Sequence, residues 1–514
     1  MGGPEMKKVI SLILAAVLCL STVCCAFAAE GDAYTILNPY EGVDWQTYHA
    51  YKTALHSHTN ASDGNQTLRQ SLERHVQTGF DIVAITDHGV IDRSWAEGND
   101  TNLIKTVLGL MGRSEGALDY IGYQGTFAGG VGYTYKTLAN GDQYLYTDTG
   151  RTVLKMPYGI ENNAVSVNAH VNSWFAPYSD NSVTTYEDAV KGVDAAGGVC
   201  VINHPGEYTK ARYALRTDEA YDENNASYAY YINKYATLID EYDALIGIDM
   251  NSKGDNRTRF DRKLWDILLT RFSANGKNVY GICSSDAHQL GVIDTGFSLL
   301  LMPALTSAAA RKALESGQFF GASHCIGNYD ELIGIAEALR AYYGEENETY
   351  VAVQNTVNEM TDRIEGIENG KYDADDSIGV EYSVLENGFT TVDTFPAVRS
   401  ITVNDNENTI AIAAENALLV RFISNGTVFA VKTPDAAVID LDDYSSQLGD
   451  YVRVEVFGEG GILYTQAFLL NAEKNAGAGS VKKGVYFNLG FIDFLLAELR
   501  NWKEIIVRYF SNLF

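Results

Sequence analysis

Between Tyr51 and about Ile326, short apolar runs recur, and each gives way to polar or charged residues. They fall at 53–55, 81–85, 156–160, 164–171, 198–202, 243–248, 279–282 and 296–302. Stretches with apolar residues at helical spacing lie between them, at 67–77, 184–196, 259–274 and 306–316. Strands alternating with helices predict an α/β fold with a parallel sheet. This many units over ~270 residues predicts a closed or nearly closed TIM-like barrel. Residues 99–152 interrupt the rhythm with Gly, Tyr and Thr and an Asn140-Gly141 turn signal. They are expected to form an insertion at the barrel mouth, with a lid as one role for it.

The pattern turns helical from 328 to 363 and acidic from 365 to 392, with turn signals at Asn369-Gly370 and Asn387-Gly388. From 397 to 470 short alternating runs take over, with Asn425-Gly426 between two of them, which predicts a small all-β sandwich. Near the C-terminus Ile492, Leu495, Leu499, Trp502, Ile506, Tyr509 and Leu513 follow 3,4 spacing, the mark of an amphipathic helix. The expected organisation is a signal peptide at 1–28, a hydrolase barrel at 31–345 with the 99–152 insertion, and a helical and acidic connector at 346–396. A β-sandwich at 397–472, a linker at 473–484 and an amphipathic helix at 485–514 complete it. That helix can dock on its own protein, contact a membrane surface or self-associate, and the sequence leaves the three open.

Lys7 and Lys8 precede an almost wholly apolar or small run from 9 to 27, and Ala26-Phe27-Ala28 has the small-x-small pattern of a cleavage site. A secreted or cell-envelope location is expected, with an uncleaved anchor as the alternative. Hydrophobic residues make up 46% and charged residues 20%, which excludes wholesale disorder. Lys and Arg number 38 against 66 Asp and Glu, a net charge of -28, so no nucleic-acid partner is expected. Of six cysteines, Cys200, Cys283 and Cys325 lie beyond the signal segment, too few and too far apart for a disulfide framework. Cys200 and Cys283 sit in apolar runs and are expected to be buried thiols.

The candidate chemistry lies in the histidines. Of nine, six fall at or just beyond strand-like runs: His56, His58, His88, His170, His204 and His288. The strand ends of a parallel barrel converge on one mouth. Six imidazoles there would repel one another as cations. As neutral donors beside Asp63, Asp87, Glu161 and Asp286 they make a multinuclear metal centre. In His56-Ser57-His58, residues two apart on a strand share a face, and Asp286-Ala287-His288 repeats the spacing. His49, His75 and His324 have no special setting. Asn251, Lys253 and Arg257 follow a strand and are candidates to bind an anionic group of the substrate, with a solvated loop as the alternative. Asn172 and Trp174 are candidates to line the mouth. Asp87 reads as a partner to the ligands or a catalytic aid, with helix capping as the alternative.

The motifs Leu55-His56-Ser57-His58-Thr59, Ser62-Asp63-Gly64, Ile85-Thr86-Asp87-His88, Gly159-Ile160-Glu161, His170-Val171-Asn172, Ile202-Asn203-His204-Pro205 and Ser285-Asp286-Ala287-His288 occur in that order. Together they resemble the PHP (polymerase and histidinol phosphatase) family of metal-dependent phosphoesterases, over roughly residues 50–326. The resemblance implies a distorted (β/α)7 barrel and two or three divalent ions, Zn, Mn or Fe. It implies that His56, His58, Glu161 and Asp286 hold one ion, that Glu161 bridges to a second held by His170 and His204, and that Asp63, His88 and His288 hold a third. The implied activity is hydrolysis of a small-molecule or surface-glycan phosphate ester. Metal-dependent hydrolysis of another bond, or a non-catalytic surface protein with structural metals, are the alternatives.

Overall fold

The computed structural model describes residues 34–97, 120–162, 170–179, 185–372, 378–386, 389–390 and 394–471. The expected signal peptide, linker and terminal helix lie outside the described residues. So do residues 99–119 of the expected insertion and 164–169 of one expected strand.

In chain order the first strands are β1 (Ile36–Leu37), β2 (His49–Ala54), β3 (Ile82–Val83), β4 (Gln124–Thr126), β5 (Gly132–Thr137), β6 (Gln143–Thr147) and β7 (Thr152–Lys155). Next come β8 (Ile160–Asn162), β9 (Val171–Trp174), β10 (Val199–Ile202), β11 (Leu245–Asn251) and β12 (Tyr280–Cys283), which form a five-stranded sheet in the order β12-β11-β10-β9-β8. After these run β13 (Gly296–Met302), β14 (Phe319–Ser323) and two short pairs, β15 (Cys325–Ile326) with β16 (Tyr382–Ser383) and β17 (Leu385–Glu386) with β18 (Phe389–Thr390). The last strands are β19 (Ala397–Asn404), β20 (Thr409–Glu415), β21 (Leu419–Ser424), β22 (Thr427–Lys432), β23 (Val438–Asp440), β24 (Tyr451–Gly458), β25 (Gly461–Thr465) and β26 (Phe468–Leu470).

The helices are α1 (Leu68–Gln77), α2 (Tyr186–Ala195), α3 (Gly206–Thr209), α4 (Ala226–Glu241), α5 (Asp261–Ser273), α6 (Ser307–Ser316), α7 (Tyr329–Tyr343) and α8 (Glu348–Glu368). Six of them start where the sequence supplies a capping side chain: Thr67, Thr185, Asn225, Thr306, Asn328 and Asn347 each accept a hydrogen bond from a first-turn N–H.

The chain is mixed α/β, and among the described residues the paired strands form separate sheets and no closed barrel. β2, β3 and β7 are parallel neighbours, as are β10, β11 and β12. The pairs β8–β9, β9–β10, β13–β2 and β13–β14 are antiparallel. Antiparallel neighbours need no crossover helix, so the strand-helix repeat breaks at these points. The result is a 14-stranded sheet and a five-stranded sheet, joined by isolated parallel bridges at Ser57–Ala287 and His88–Glu161. Both sheets contribute to one apolar interior: Leu55, Ile82, Leu154 and Leu300 pack with Trp174, Val201, Ile246 and Ile282. The site sits where this interior ends.

The final strands are not a free-standing sandwich. β25 pairs β14 from Phe320–Thr465 to Ser323–Ile462, and β24 joins β25 to β21 and β26. They therefore extend the large sheet, and β26 pairs β1 at its far edge. A separate three-stranded sheet, β19-β20-β23, places Ile401, Ile410, Ile412 and Ile439 against Val420, Phe422, Val452, Val454, Leu463 and Phe320. Cys200, Cys283 and Cys325 are buried free thiols. Among the described residues no helix is long and apolar enough to cross a membrane.

Candidate metal centre

The two short motifs with a residue between their donors lie side by side. The bridge between Ser57 and Ala287, with the His58 N–H donating to the Ala287 carbonyl at 3.0 Å, sets the flanking pairs His56/His58 and Asp286/His288 on a common face. Glu161 arrives on β8. The bridge to His88, and the Gly89 N–H donating to the Glu161 carbonyl at 2.9 Å, fix β8 against the segment that follows β3. Gly159 makes that approach possible, because a Cβ there would lie 2.5 Å from the Ile85 carbonyl oxygen. His170 precedes β9 and His204 follows β10. His204 and Asp286 adopt the left-handed backbone region (φ 25° and 43°), uncommon for residues other than glycine and frequent at functional sites.

All nine expected donors converge. His56 Nε2 lies 3.3 Å from Glu161 Oε2 and 3.1 Å from Asp286 Oδ1, and His58 Nε2 lies 3.1 Å and 3.0 Å from the same two oxygens. The two imidazole nitrogens are 3.0 Å apart. On the other Glu161 oxygen, His170 Nδ1 stands 3.1 Å and His204 Nε2 3.3 Å from Oε1. Asp63 Oδ1 gathers His288 Nε2 at 3.3 Å, His88 Nε2 at 3.5 Å and His58 Nδ1 at 3.6 Å. Donor atoms within 4.8 Å of one another form three groups: His58, Asp63, His88 and His288; His56, Glu161, His204 and Asp286; and His88, Glu161 and His170. This grouping draws His204 toward the His56 set and gives His88 and Glu161 to two groups each.

The donor set fits divalent cations. Ligand bonds of about 2.0–2.2 Å put donor atoms roughly 3.3–3.6 Å apart in a tetrahedral shell and about 2.8–3.1 Å apart in an octahedral one. The five measured separations among His56, His58, Glu161 and Asp286, between 3.0 and 3.3 Å, fall in that window. Charge agrees. Burial pushes the Glu161 carboxyl up, but His170, His56 and His88 outweigh it and hold the group well below its ordinary value. Burial acts likewise on Asp286, and His56, Lys253 and His288 outweigh it. Burial lowers His88 and His204 and favours their neutral, donor-competent rings. His58 differs: burial works against its charged form, yet hydrogen bonds to Asp286 and Glu161 raise it well above the ordinary range.

The remaining expected residues divide. Asp87 is no helix cap. Its carboxylate accepts from the Thr59 N–H at 2.7 Å, the Thr59 hydroxyl at 2.6 Å and the Ser62 hydroxyl at 2.6 Å, so it pins the turn that carries His58 and Asp63. Lys253 reaches the centre, its Nζ 2.7 Å from Asp286 Oδ2. Arg257 stays at the rim, 3.1 Å from Glu207 Oε1. Asn251 is buried and turns its amide toward the Cys325 carbonyl. Asn172 and Trp174 are buried on β9 rather than lining an open mouth. His75 donates through Nδ1 to the Ser71 carbonyl within α1, His324 faces the Gly460 carbonyl, and His49 is exposed on β2.

Three neighbours escaped the sequence reading. Glu207, buried one turn beyond His204, lies 3.5 Å from His204 Nδ1 and 3.2 Å from Lys253 Nζ. Burial pushes its carboxyl up, but Lys253, His204 and Arg257 bring it down to about 2. Asn203 donates to Glu161 Oε1 at 2.7 Å, and the Tyr208 hydroxyl meets His170 Nδ1 at 2.8 Å. The one available signal was Glu207 three residues after His204 at the start of a helical turn.

No family model matches the chain, and no curated protein matches it. Among solved structures it is similar to a two-domain protein from Bacteroides vulgatus whose description names a predicted PHP-like metal-dependent phosphoesterase. The identity is 13%, the TM-score 0.31, and the match covers 83% of this chain and 88% of that one.

Proposed function

We propose that this chain is a metal-dependent hydrolase that cleaves phosphate esters, using two or three divalent ions (Zn, Mn or Fe). The observation that carries the reading is the meeting of six imidazoles and three carboxylates, with 3.0–3.3 Å between donors around His56 and His58. Divalent ions held there supply a Lewis acid for a phosphoryl oxygen and lower the pKa of a coordinated water to about 7. Glu161 turns one oxygen to the His56/His58 side and the other to His170 and His204, so it links two donor groups, and Asn203 fixes its rotamer. Asp87 keeps Asp63 and His58 in register through the Thr59–Ser62 turn. Lys253 at the centre and Arg257 at the rim give the site two cationic groups, which favours an anionic substrate such as a phosphate ester over a neutral one. No nucleophilic serine or cysteine is needed, and the thiols of Cys200, Cys283 and Cys325 are buried.

The test uses the full chain loaded with Mn or Zn, assayed against a panel of small-molecule and glycan phosphate esters before and after chelation. Turnover that chelation abolishes and metal restores supports the reading. A folded, metal-loaded chain that turns over no ester favours a binding protein with structural metals.

A further inference from the structure

The residue that carries a positive charge into the centre stands on an improbable backbone. Lys253, Gly254 and Asp255 are all left-handed, with φ of 55°, 73° and 73°. Two of the three have side chains, and such conformations persist only where the surroundings over-determine them. Even the glycine is hemmed in, since a Cβ at Gly254 would lie 2.9 Å from Glu381 Oε1.

What over-determines the turn is a buried ionic circuit that runs into the C-terminal strands. Asp255 takes both oxygens to Arg262, at 2.8 Å each, and accepts the Gly327 N–H at 2.8 Å. Arg262, on α5, donates through Nε and a terminal nitrogen to Glu331 of α7, at 3.0 and 2.6 Å. Glu331 lies 3.6 Å from Arg421 of β21, which pairs with Glu455 of β24 at 2.9 Å. Glu455 pairs with Arg453 at 2.6 Å, and Arg453 returns to α5 by a two-pronged contact with Asp266, at 2.7 and 2.8 Å. Arg262 and Asp266 are four residues apart and share one helix face, so the circuit begins and ends on that face. All seven side chains are buried, except that Glu331 is only nearly so. Removing one partner of such a network leaves a charge stranded in low dielectric.

We propose that Asp255 is a positioning residue for Lys253, and that Arg421 and Glu455 of the late strands complete the brace that holds it. The C-terminal strands then serve the metal centre directly. The inference rests on the metal-centre reading above, and the experiment separates the two.

The probe is inorganic phosphate, titrated calorimetrically into the Mn-loaded full chain. If wild type takes up neither Mn nor phosphate, the metal-centre reading falls before any variant is made. Given wild-type binding, Lys253→Ala is expected to weaken phosphate by roughly tenfold, the scale of one charge-assisted contact. Asp255→Asn keeps the shape and loses the bidentate charge pair. It is expected to weaken phosphate similarly while Mn stoichiometry stays at the wild-type value. Added to Lys253→Ala it should cost nothing more, because its effect runs through that lysine. A purely structural role would make the two losses additive. Should Asp255→Asn fail to fold, Arg421→Met, at the far end of the circuit, must show the same direction and the same dependence on Lys253. Wild-type phosphate affinity in Asp255→Asn or Arg421→Met, or full additivity with Lys253→Ala, would overturn the proposal.

Discussion

His58 turns both ring nitrogens inward, Nε2 to Glu161 and Asp286 and Nδ1 to Asp63, so a single side chain touches two donor groups. His58→Ala is therefore expected to lower metal content and to reduce turnover by more than the roughly 10–100-fold that loss of an outer-sphere partner costs. Metal analysis of the purified variant beside its rate checks this, and unchanged stoichiometry would remove His58 from the ligand set. His75 has the same chemistry in the opposite setting. Burial pushes its imidazole from an ordinary 6.5 down to about 4, so the folded state refuses a proton that the unfolded chain accepts. Stability from neutral His75 is complete above about pH 6.5 and drains away as pH falls toward 4, on the order of 3 kcal/mol in all. His75→Leu should bring the denaturation midpoints at pH 7 and pH 4.5 closer together than in wild type. The contrast also explains what the sequence revealed. His56, His58, His88, His204 and His288 stood out because each follows an apolar run, whereas His75 lies inside a helical pattern. Asn203 did not stand out, because Glu161 is far away in the chain, and Glu207 gave only its spacing from His204, since Lys253 and Arg257 come near it only on folding.

At the level of elements, short-range order was legible and long-range pairing was not. The runs at 198–202, 279–282 and 296–302 match strands, and capping residues such as Thr67 and Thr306 mark helix starts. Strand direction is another matter. Nothing local fixes the direction of β9, antiparallel to β10, since both strands are short and buried. The crossing of β8 with the segment after β3 is similarly set by one residue without a side chain. Gly159→Ala would press a methyl against the Ile85 carbonyl and move the His88–Glu161 bridge. Metal affinity should fall about tenfold while the far-ultraviolet circular dichroism stays close to wild type. Retained affinity would mean that β8 can shift without carrying Glu161 out of place.

For the molecule as a whole, strands from before and after residue 396 pair in one sheet. β25 supplies the partner of β14, and Gln466 caps the edge of β12, accepting from the Gly281 N–H and donating to the Gly281 carbonyl at 2.9 Å each. Tyr40 ties the same region to the start of the chain, donating to the Phe319 carbonyl and accepting from the Gln466 N–H. A chain ending at 396 would expose the edge of β14, leave Asp266 without Arg453, and take Arg421 away from Glu331. Such a truncation should be insoluble or lack a cooperative thermal transition, and a soluble, active fragment would contradict that. The pairing of Ile36 with Leu470 carries a consequence for biogenesis. The earliest described strand can find its neighbour only after nearly everything between them has been synthesised. Assembly of this sheet is consequently a late event with high contact order, exposed meanwhile to misassociation along unpaired edges.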